Sequence, residues 1–406
     1  MRNSTFKLGD ITEVITKGTT PTSVGFKFVE SGINFVKVES ITADGLFLTS
    51  KFASISDECN KTLKRSQLQE GDVLFSIAGA LGRTALVPKS ILPANTNQAL
   101  AIIRLKSDIA IDKRFLLLAL KTSVTMEQVE KYRGGVAQQN LSLGQLKNFE
   151  IPDIPISNQK RIVAIIDQAF ADIEQARAKT ERNLKNAREL FENYLQQVFS
   201  QQGEEWTETT LGKLCKRVEY GTSSKSQTEG TIPVIRMGNI QDGVIDWEKL
   251  VYSDNDVDIN KLLLKNGDVL FNRTNSPELV GKTAIYRNER PAIFAGYLIR
   301  IHRKEELLDA EYLNYYLNSS IAQEYGRSVM SHSTNQANIN GTKLKEYPIN
   351  VPTLATQELI SKKINLLVSE IKSLEAIYQK KLDAIDELKK SILQKAFAGE
   401  LSKSIA

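Results

Sequence analysis

The pentapeptide GDVLF stands at residues 71–75 and again, letter for letter, at residues 267–271, which is 196 positions further along the chain. The segments around it are similar in the same order. LGDI, KGTTPTS and NFVKVESI precede the first pentapeptide, whereas LGKL, YGTSSKS and PVIRMGNI precede the second. RTALV and AIIRLK follow the first, and KTAIY and YLIRIH follow the second. This ordered similarity indicates a tandem duplication rather than a chance match.

Further along each copy the duplication continues at an offset of 198 residues. QQNLSLGQLKNFEIP at residues 138–152 aligns with QANINGTKLKEYPIN at residues 336–350. LFENYLQQVFSQ at residues 190–201 aligns with LKKSILQKAFAG at residues 388–399. A chain of 406 residues is also too long for one hydrophobic core, so the length and the repeat both predict more than one domain.

The composition is that of a globular protein, with 41% hydrophobic and 25% charged residues. We expect no membrane segment, because no apolar run approaches the roughly 20 residues that cross a bilayer and the N-terminus lacks a signal-peptide pattern. Cys59 and Cys215 lie far apart, which favours buried thiols in a reducing cytoplasm. The net charge is +5, and residues 1–203 carry all of it. A polyanionic partner would therefore be bound in basic clefts or with the help of another subunit.

The first 150 or so residues of each copy are typical of short strands. Runs rich in β-branched and aromatic residues, such as INFVKV, DVLFSIA and IPVIRM, alternate with turns of Gly, Asn and Ser. One helical stretch comes late in each copy, RFLLLALKTS in the first and AEYLNYYLNSS in the second. We therefore predict an α+β fold with two tandem-repeated, β-rich domains.

The last 45 or so residues of each copy differ in kind and predict one long helix. Residues 158–201 and 356–398 contain no Gly or Pro, and apolar residues recur at steps of three and four, as in a coiled coil. Asn158 and Thr356 are the predicted N-caps, and Gly203 and Gly399 the predicted stops. The predicted seam includes Ile162, Ile166, Ile173, Leu184, Ile360, Ile364, Leu367, Ile371, Leu374 and Ile385.

Neither helix can bury such a stripe alone in water, so each needs a partner. We expect the two helices to pair antiparallel as a coiled coil, with the β-rich domains at opposite ends in pseudo-twofold arrangement. The alternative is that each helix packs back on its own domain. The predicted domains are residues 1–156, a central long helix at 157–203, a second β-rich domain at 204–354 and a C-terminal long helix at 355–406.

The copies agree in their apolar strand positions and differ in the loops between them, which is how binding surfaces are commonly built. SIAGALGR follows the first GDVLF, whereas the longer NRTNSPELVGK follows the second. The variable segments are rich in Asn, Gln, Thr, Ser, Arg and Lys. Amides can bond adenine and basic side chains can bond guanine, so these loops suggest DNA reading. The alternative is that the polar loops are merely solvated.

The sequence contains none of the catalytic motifs expected of a nuclease or methyltransferase. SIAGALGRT has glycines but no lysine where a phosphate-binding loop requires one. His302 and His332 are the only histidines, and neither has metal-ligand spacing to a cysteine. No Asn-Pro-Pro-Tyr or Asp-Pro-Pro-Tyr motif of amino-methyltransferases occurs. We therefore interpret the chain as a non-catalytic binder without a metal site.

Taken together, the arrangement resembles the DNA specificity subunit of type I restriction–modification systems. The resemblance rests on the L-G-[DK]-[IL] openings, on GDVLF, and on the NLS and NIN segments before L-K-x-[FY]-x-I, all in the same order twice. It implies that each β-rich domain reads one element of a bipartite, asymmetric site in double-stranded DNA. It also implies that the antiparallel coiled coil sets the spacing between the two elements.

The resemblance implies partners that carry the chemistry. Two methyltransferase (modification) subunits, which bind S-adenosylmethionine, would dock on the helical regions. Restriction/translocase subunits, which use ATP and Mg, would join through that complex. The family commonly has a Pro-Leu-x-x-Glu-Gln run at the start of each helix. Here Asn158 and Thr356 replace the Glu, whereas Gln159 and Gln357 remain.

The positions that match give a set of candidate DNA-facing residues. In the first domain they are Lys17, Thr19, Arg83, Asn97, Gln98, Gln138, Gln139 and Asn140. In the second they are Thr222, Lys225, Arg236, Arg273, Lys282, Asn335, Gln336 and Asn338. For Gln138 and Gln336 the alternative is a bracing role before the helix.

Two other classes of function stay open at this stage. One is a coiled-coil scaffold with two protein- or sugar-binding β domains, against which salt-dependent binding of duplex DNA would speak. The other is an independent nuclease, against which the missing motifs speak.

Overall fold

The computed structural model describes residues 4–132, 140–332 and 336–398. The chain divides into two compact units. The first unit joins Met1–Lys179 to Lys381–Ala406, and the second is Thr180–Lys380. Each unit therefore contains one β-rich domain and parts of both long helices. The predicted α+β class with a tandem repeat is confirmed.

The described residues of the first unit form three sheets. A four-stranded antiparallel sheet has the order β2-β8-β5-β6, a three-stranded sheet has the order β4-β3-β7, and β1 pairs with β9. The strands are β1 Thr5–Lys7, β2 Thr12–Lys17, β3 Ile33–Val36, β4 Ala53–Ile55, β5 Val73–Ser76, β6 Thr84–Leu86, β7 Ala94–Thr96, β8 Leu100–Leu105 and β9 Glu150–Pro152. The helices are α1 Asp57–Thr62, α2 Lys113–Ala119, α3 Ser123–Tyr132 and α4 Leu143–Lys147. The long α5 Ile156–Phe199 begins in this unit and continues into the second.

The second unit repeats this plan and extends it. Its main sheet has the order β11-β20-β16-β18-β14-β13, in which the first four strands correspond to β2-β8-β5-β6. Its strands are β10 Thr207–Thr210, β11 Cys215–Tyr220, β12 Ile232–Ile235, β13 Ile240–Gln241, β14 Gly243–Ile245, β15 Val251–Ser253, β16 Val269–Asn272, β17 Thr274–Asn275, β18 Thr283–Ile285, β19 Ile293–Phe294, β20 Leu298–Arg303, β21 Ser331–His332, β22 Ala337–Asn338 and β23 Pro348–Val351. Its helices are α6 Leu211–Leu214, α7 Asp256–Leu262, α8 Ala310–Asn318, α9 Ser320–Val329 and α10 Gly341–Lys345. The long α11 Leu354–Phe397 begins in this unit and continues into the first.

The repeated pentapeptide forms the turn into the central strand of each main sheet. Gly71 and Gly267 have φ values of 87° and 83°, a left-handed conformation that favours glycine. The aspartate that follows bonds an arginine on the neighbouring strand, Asp72 with Arg104 at 2.8 Å and Asp268 with Arg300 at 3.0 Å. The Val-Leu-Phe that comes next is buried in both copies. GDVLF is therefore repeated because turn, ion pair and central strand all depend on it.

The long helices begin earlier than predicted. Each has 44 residues, and they start at Ile156 and Leu354. The predicted N-caps Asn158 and Thr356 were therefore wrong, because both lie in the first turn. The Asn158 amide donates to the Pro155 carbonyl at 2.9 Å, so the chain turns helical directly after this proline. A helix of this length extends over about 66 Å.

In the first unit the two helices run antiparallel. Lys389 of α11 bonds Glu174 of α5 at 3.0 Å, and Asp386 pairs with Arg177. From Glu174 to Arg177 along α5, the partner on α11 moves back from Lys389 to Asp386, so the two helices run in opposite directions. Ile166 packs in the same cluster as Leu393 and Ala396. Phe397 stacks on Phe115 of α2 at 5.1 Å, so this end of α11 also contacts the β-rich domain.

The second unit shows the same antiparallel pairing with the other halves of the helices. Arg188 of α5 bonds Glu375 of α11 at 2.6 Å. Further along, Leu195 of α5 shares a core cluster with Ile364 of α11. Phe199 packs edge-on against Tyr312 of α8 at 5.3 Å. Each helix therefore pairs with the other and also packs on a β-rich domain, which combines the two arrangements considered from the sequence.

The predicted seam residues differ in burial. Ile166, Ile173, Ile364 and Ile385 are buried. Partly buried are Ile162, Leu184, Ile360, Leu367 and Ile371. Leu374 is the outlier, with 40% of its surface exposed.

One glutamine fixes the start of each long helix to its β-rich domain. Gln159 accepts from the Asp112 amide at 2.9 Å and donates to the carbonyls of Ala110 (3.1 Å) and Ile154 (2.8 Å). Gln357 repeats this with the Asp309 amide and the carbonyls of Leu307 and Pro352. Both are at most 1% exposed. The Gln of each helix start is thus a structural clamp.

Candidate nucleic-acid interface

Three strands of the first main sheet end on the same side, and several candidates lie there. The pairings Lys17 with Ala101 and Ser76 with Leu100 place the end of β2, the start of β8 and the end of β5 together. Beyond the strands, the Ile77 amide donates to the Ala99 carbonyl at 2.8 Å. We name this edge the first sheet end.

The loops at the first sheet end hold polar side chains close to one another. Thr20 donates a hydrogen bond to Gln98, and Arg65 donates to Thr19 at 3.4 Å. Gly18 allows this approach, because a Cβ there would lie 2.0 Å from the Thr96 carbonyl oxygen. Lys17 and Gln98 are exposed, and Asn97 is partly buried. The structure thus brings together Lys17, Thr19, Asn97 and Gln98.

The remaining first-domain candidates have different positions. Arg83 donates to the Ile41 carbonyl at 2.9 Å, so it braces a turn of its own domain. Asn140 is exposed beside Leu141, whose amide bonds the Ile77 carbonyl at 2.9 Å at the first sheet end. Gln138 and Gln139 lie outside the described residues.

The second domain builds the corresponding edge with the same backbone hydrogen bonds. The pairings Tyr220 with Ile299 and Asn272 with Leu298 set the strand ends. The Arg273 amide donates to the Tyr297 carbonyl at 3.0 Å, and the Ile339 amide donates to the Arg273 carbonyl at 2.9 Å. Gly18 and Gly221 bond the Leu100 and Leu298 carbonyls, both at 3.4 Å. We name this edge the second sheet end.

The side chains at the second sheet end differ from those at the first. The Arg273 guanidinium lies 5.1 Å from the centre of the Tyr220 ring. Asn338 donates to Thr274 at 2.7 Å within a small sheet of order β17-β22-β21 that the first domain does not match among its described residues. Gln336 is exposed just before β22, and Asn335 lies outside the described residues.

Two candidates lie in the loop after β11. Thr222 is 7% exposed and donates to Asp258, which also accepts from Ser224 at 2.7 Å. The hydrogen bonds from Thr222 and Ser224 hold the pKa of Asp258 below its ordinary value. Thr222 therefore anchors this loop to α7, whereas Lys225 is exposed on it.

One of the last two second-domain candidates follows β12, and the other precedes β18. Arg236 is exposed and donates to the Lys249 carbonyl at 3.3 Å. Lys282 lines a cavity of about 710 Å³ between the helix pair and the β-rich domain of the second unit. Glu192 and Glu375 line the same cavity, and burial raises the pKa of Glu192. Its lining is of mixed charge.

Sequence reasoning missed three residues at the sheet ends. Arg65, which donates a hydrogen bond to Thr19, lies outside the segments that are similar in the two copies. Tyr220 and Tyr297 are 44% and 48% exposed at the second sheet end. The sequence does distinguish these two tyrosines. Both are large aromatic residues next to turns, and the first copy has Lys17 and Ala99 at the corresponding positions.

No helix in the described part of the chain is both long and apolar enough to cross a membrane. Across these same residues, no cluster of three or more His, Cys, Asp or Glu side chains has the geometry of a metal site.

Several curated relatives are similar in sequence. The StySPI specificity subunit of Salmonella potsdam is 25% identical over 80% of this chain and 74% of its own length. The EcoKI specificity subunit of Escherichia coli K12 is 23% identical over 71% of this chain and 65% of its own length. The putative MjaX specificity subunit of Methanocaldococcus jannaschii is 28% identical over 51% of this chain and 48% of its own length. The chain thus aligns with about half to three quarters of these relatives.

Two solved structures share the fold. The first, from work on the structural basis of complex assembly and conformational transition of a type I R-M system, has a TM-score of 0.78 at 20% identity and covers 98% of this chain and 99% of its own. The HsdS subunit of Thermoanaerobacter tengcongensis has a TM-score of 0.61 at 18% identity and covers 98% of this chain and 97% of its own.

The family comparison agrees with the internal repeat. A model described as "Type I restriction modification DNA specificity domain" matches residues 2–181 and again residues 203–382. These two matches cover most of the chain, and they begin and end at corresponding points of the two copies. The chain belongs to the family of the type I restriction modification DNA specificity domain and contains that domain twice.

Proposed function

We propose that this chain is the DNA-reading subunit of a type I restriction–modification enzyme. Each β-rich domain reads one element of a bipartite DNA site with its sheet end. The observation that carries the proposal is that the two sheet ends have the same backbone hydrogen bonds but different side chains. Ile77 bonds Ala99 in the first domain, and Arg273 bonds Tyr297 in the second. A constant scaffold with unlike side chains suits two unlike half-sites.

The chemistry in this proposal belongs to partner subunits. The similar proteins are specificity subunits of restriction enzymes, and one similar structure concerns the assembly of such a complex. Two methyltransferase subunits would bind S-adenosylmethionine and modify adenine. Restriction subunits would use ATP and Mg to translocate and cleave. This chain would position them on double-stranded DNA and catalyse nothing itself.

An exposed apolar face of α11 supports docking of a methyltransferase subunit. Leu359, Leu366 and Ile377 are 54%, 67% and 56% exposed. At 100° per residue they fall within about 20° of one another, so they form one stripe. The equivalent positions of α5, which are 198 residues earlier, hold Arg161, Gln168 and Lys179. Exposed apolar surface of this kind marks protein interfaces.

Replacing the three stripe residues by glutamine tests this docking surface. We expect the triple variant to fold, because the side chains are exposed, and to lose affinity for the methyltransferase subunit in titration calorimetry. Glutamines in place of Glu358, Lys362 and Lys380, which are exposed about 40° or more away from the stripe around the same helix, form the control. Equal affinity of the triple variant and the wild type would contradict the assignment.

Exchange of one reading domain tests the proposed function itself. The chain is expressed with a methyltransferase subunit, and methylated adenines are mapped across a genome of known sequence. Replacing residues 1–156 by the first domain of another specificity subunit should change one half of the methylated motif and leave the other half unaltered. A motif that changes in both halves, or wild-type methylation without any motif, would contradict the proposal.

A further inference from the structure

The two sheet ends differ most at three equivalent positions. Strand pairing and the backbone bonds given above make Tyr220 equivalent to Lys17, Arg273 to Ile77 and Tyr297 to Ala99. Ile77 is buried, at 4% exposure, whereas Arg273 is partly exposed. The second domain therefore places a guanidinium where the first places a core side chain.

Arg273 is held in place without using up its hydrogen-bonding capacity. One terminal nitrogen donates to the Gly296 carbonyl at a long 3.4 Å, and among the described residues the buried Nε has no hydrogen-bond partner. A guanidinium carries five N–H donors in a planar fork, so the described part of the domain leaves most of them uncommitted. A donor-rich cation of this kind is suited to an acceptor from outside.

The ring beneath Arg273 is also fixed. The Tyr220 hydroxyl accepts from the Gly341 amide at 2.8 Å, and the guanidinium lies over its ring at 5.1 Å. Gly341 is needed for this fit, because a Cβ there would lie 3.0 Å from the Tyr220 hydroxyl. The cation–π contact orients the fork, so little side-chain entropy remains to be lost on binding.

Polar and aromatic groups border the fork. Tyr297, 48% exposed, bonds the Arg273 amide through its carbonyl, so its ring starts next to the arginine backbone. Thr274 follows Arg273 in the chain and is bonded by Asn338. A base edge meeting Arg273 would thus come next to an exposed aromatic residue.

We propose that Arg273 reads a guanine in the half-site of the second domain. The guanidinium fork would donate to the O6 and N7 acceptors of the major-groove edge, the pair of acceptors that arginine fits best. Tyr220 is its positioning residue, and Tyr297 contacts the neighbouring nucleotide. This inference rests on the proposed function. Ile77, the equivalent residue of the first domain, has no such role, so the two domains read their half-sites by different chemistry.

The rival explanation is that Arg273 only braces the Gly296 carbonyl and the small sheet beside it. The two roles differ in what a substitution changes. Substitution of a bracing residue weakens binding to all DNA sequences alike, because it alters the fold of the domain. A reader affects the preference at one base pair and leaves the others unchanged.

The test measures base preference with the complete complex. The chain and a methyltransferase subunit are assembled, and bound DNA is selected from a library that randomises the second half-site. Arg273→Lys keeps the charge but loses the fork, and Arg273→Gln loses both. Arg217→Lys is the matched control, because Arg217 lies on β11 of the same domain and its side chain is 64% exposed.

We expect the wild type to require guanine at one position. Arg273→Lys and Arg273→Gln should lower that preference by about 5-fold to 150-fold and leave every other position as it was. Arg217→Lys should change nothing. Tyr220→Leu should weaken the same position, because the fork loses its platform, while the fold is followed by thermal unfolding.

Three results would overturn the inference. They are a second half-site without guanine, an unchanged preference in Arg273→Lys and Arg273→Gln, or a uniform loss at all positions of the half-site. A wild-type complex that selects no sequence would instead refute the proposed function, so the two failures are distinguishable.

Discussion

Buried polar side chains decide much of this fold at the scale of single residues. Gln159 and Gln357 have equivalent hydrogen-bond partners, although the residues before them differ from the family pattern. The Glu that the family commonly has at that point is absent, and the clamp is complete without it. Neither Asn158 nor Thr356 is needed to start the helix.

Substitution of Gln159 by leucine tests the clamp. It leaves the Asp112 amide and two carbonyls without partners, so we expect a loss of about 1 to 3 kcal/mol in the free energy of unfolding. Urea denaturation measures it. Gln168→Leu, at an exposed position of the same helix, is the control and should change the free energy of unfolding by less than about 0.5 kcal/mol. An equal effect of the two substitutions would contradict the assigned role.

The buried charges of the second domain predict a pH dependence. Burial alone would raise the pKa of Glu219, but hydrogen bonds from Arg300 and His302 outweigh it, and the net pKa lies below the ordinary 4.5. A carboxyl with a lowered folded pKa adds stability above its unfolded pKa and loses it as the pH falls through the folded pKa. Stability should therefore decline below about pH 4.5.

Glu219→Gln isolates this contribution. At pH 7 the variant should be less stable than the wild type, because Arg300 loses the charged partner Glu219 and keeps the ion pair with Asp268. The difference in the free energy of unfolding should shrink as the pH falls from 5 towards 2, which denaturation curves at several pH values would follow. A difference that stays constant over this range would show that Glu219 is not the group responsible.

At the scale of elements, the long helices differ in burial along their length. Their burial is uneven, since Ile364 is fully buried whereas Leu374, ten residues later on the same helix, is 40% exposed. Each helix changes its packing partners along its length, because it contacts both the other helix and a β-rich domain. A regular seam in the sequence thus has an irregular environment.

This unevenness can be measured with two alanine substitutions in α11. Ile364→Ala should destabilise the second unit by about 2 to 5 kcal/mol, because it opens a cavity in a packed core. Leu374→Ala should cost less than about 1 kcal/mol, because its side chain is already partly in water. Similar losses in the midpoint of urea unfolding would mean that Leu374 is buried in solution.

Sequence reasoning predicted these elements better than it predicted the directions of side chains. The repeat, the central strands and the long helices follow from local pattern, since GDVLF and the three-four spacing recur in both copies. The sequence predicts Thr222 and Arg83 as DNA-facing, and in the structure they bond Asp258 and Ile41, which lie 36 and 42 residues away along the chain. Such distant partners exist only in the folded domain, so no local pattern reveals them.

At the scale of the whole molecule, the proposed function makes the helix pair a spacer. The two compact units divide α5 between Lys179 and Thr180 and α11 between Lys380 and Lys381. A seven-residue insertion at both points preserves the three-four repeat of the seam and lengthens each helix by about 10 Å. At about 3.4 Å per base pair this corresponds to about three base pairs.

The methylated motif of the doubly inserted protein, mapped with its methyltransferase subunit, tests whether the helix pair sets the spacing. Both half-sites should keep their sequence while the spacer between them grows by about three base pairs. A single insertion, in α5 or in α11 alone, breaks the register of the pair and should abolish methylation. A doubly inserted protein that methylates the original motif with its original spacing would show that the helix pair is not the spacer.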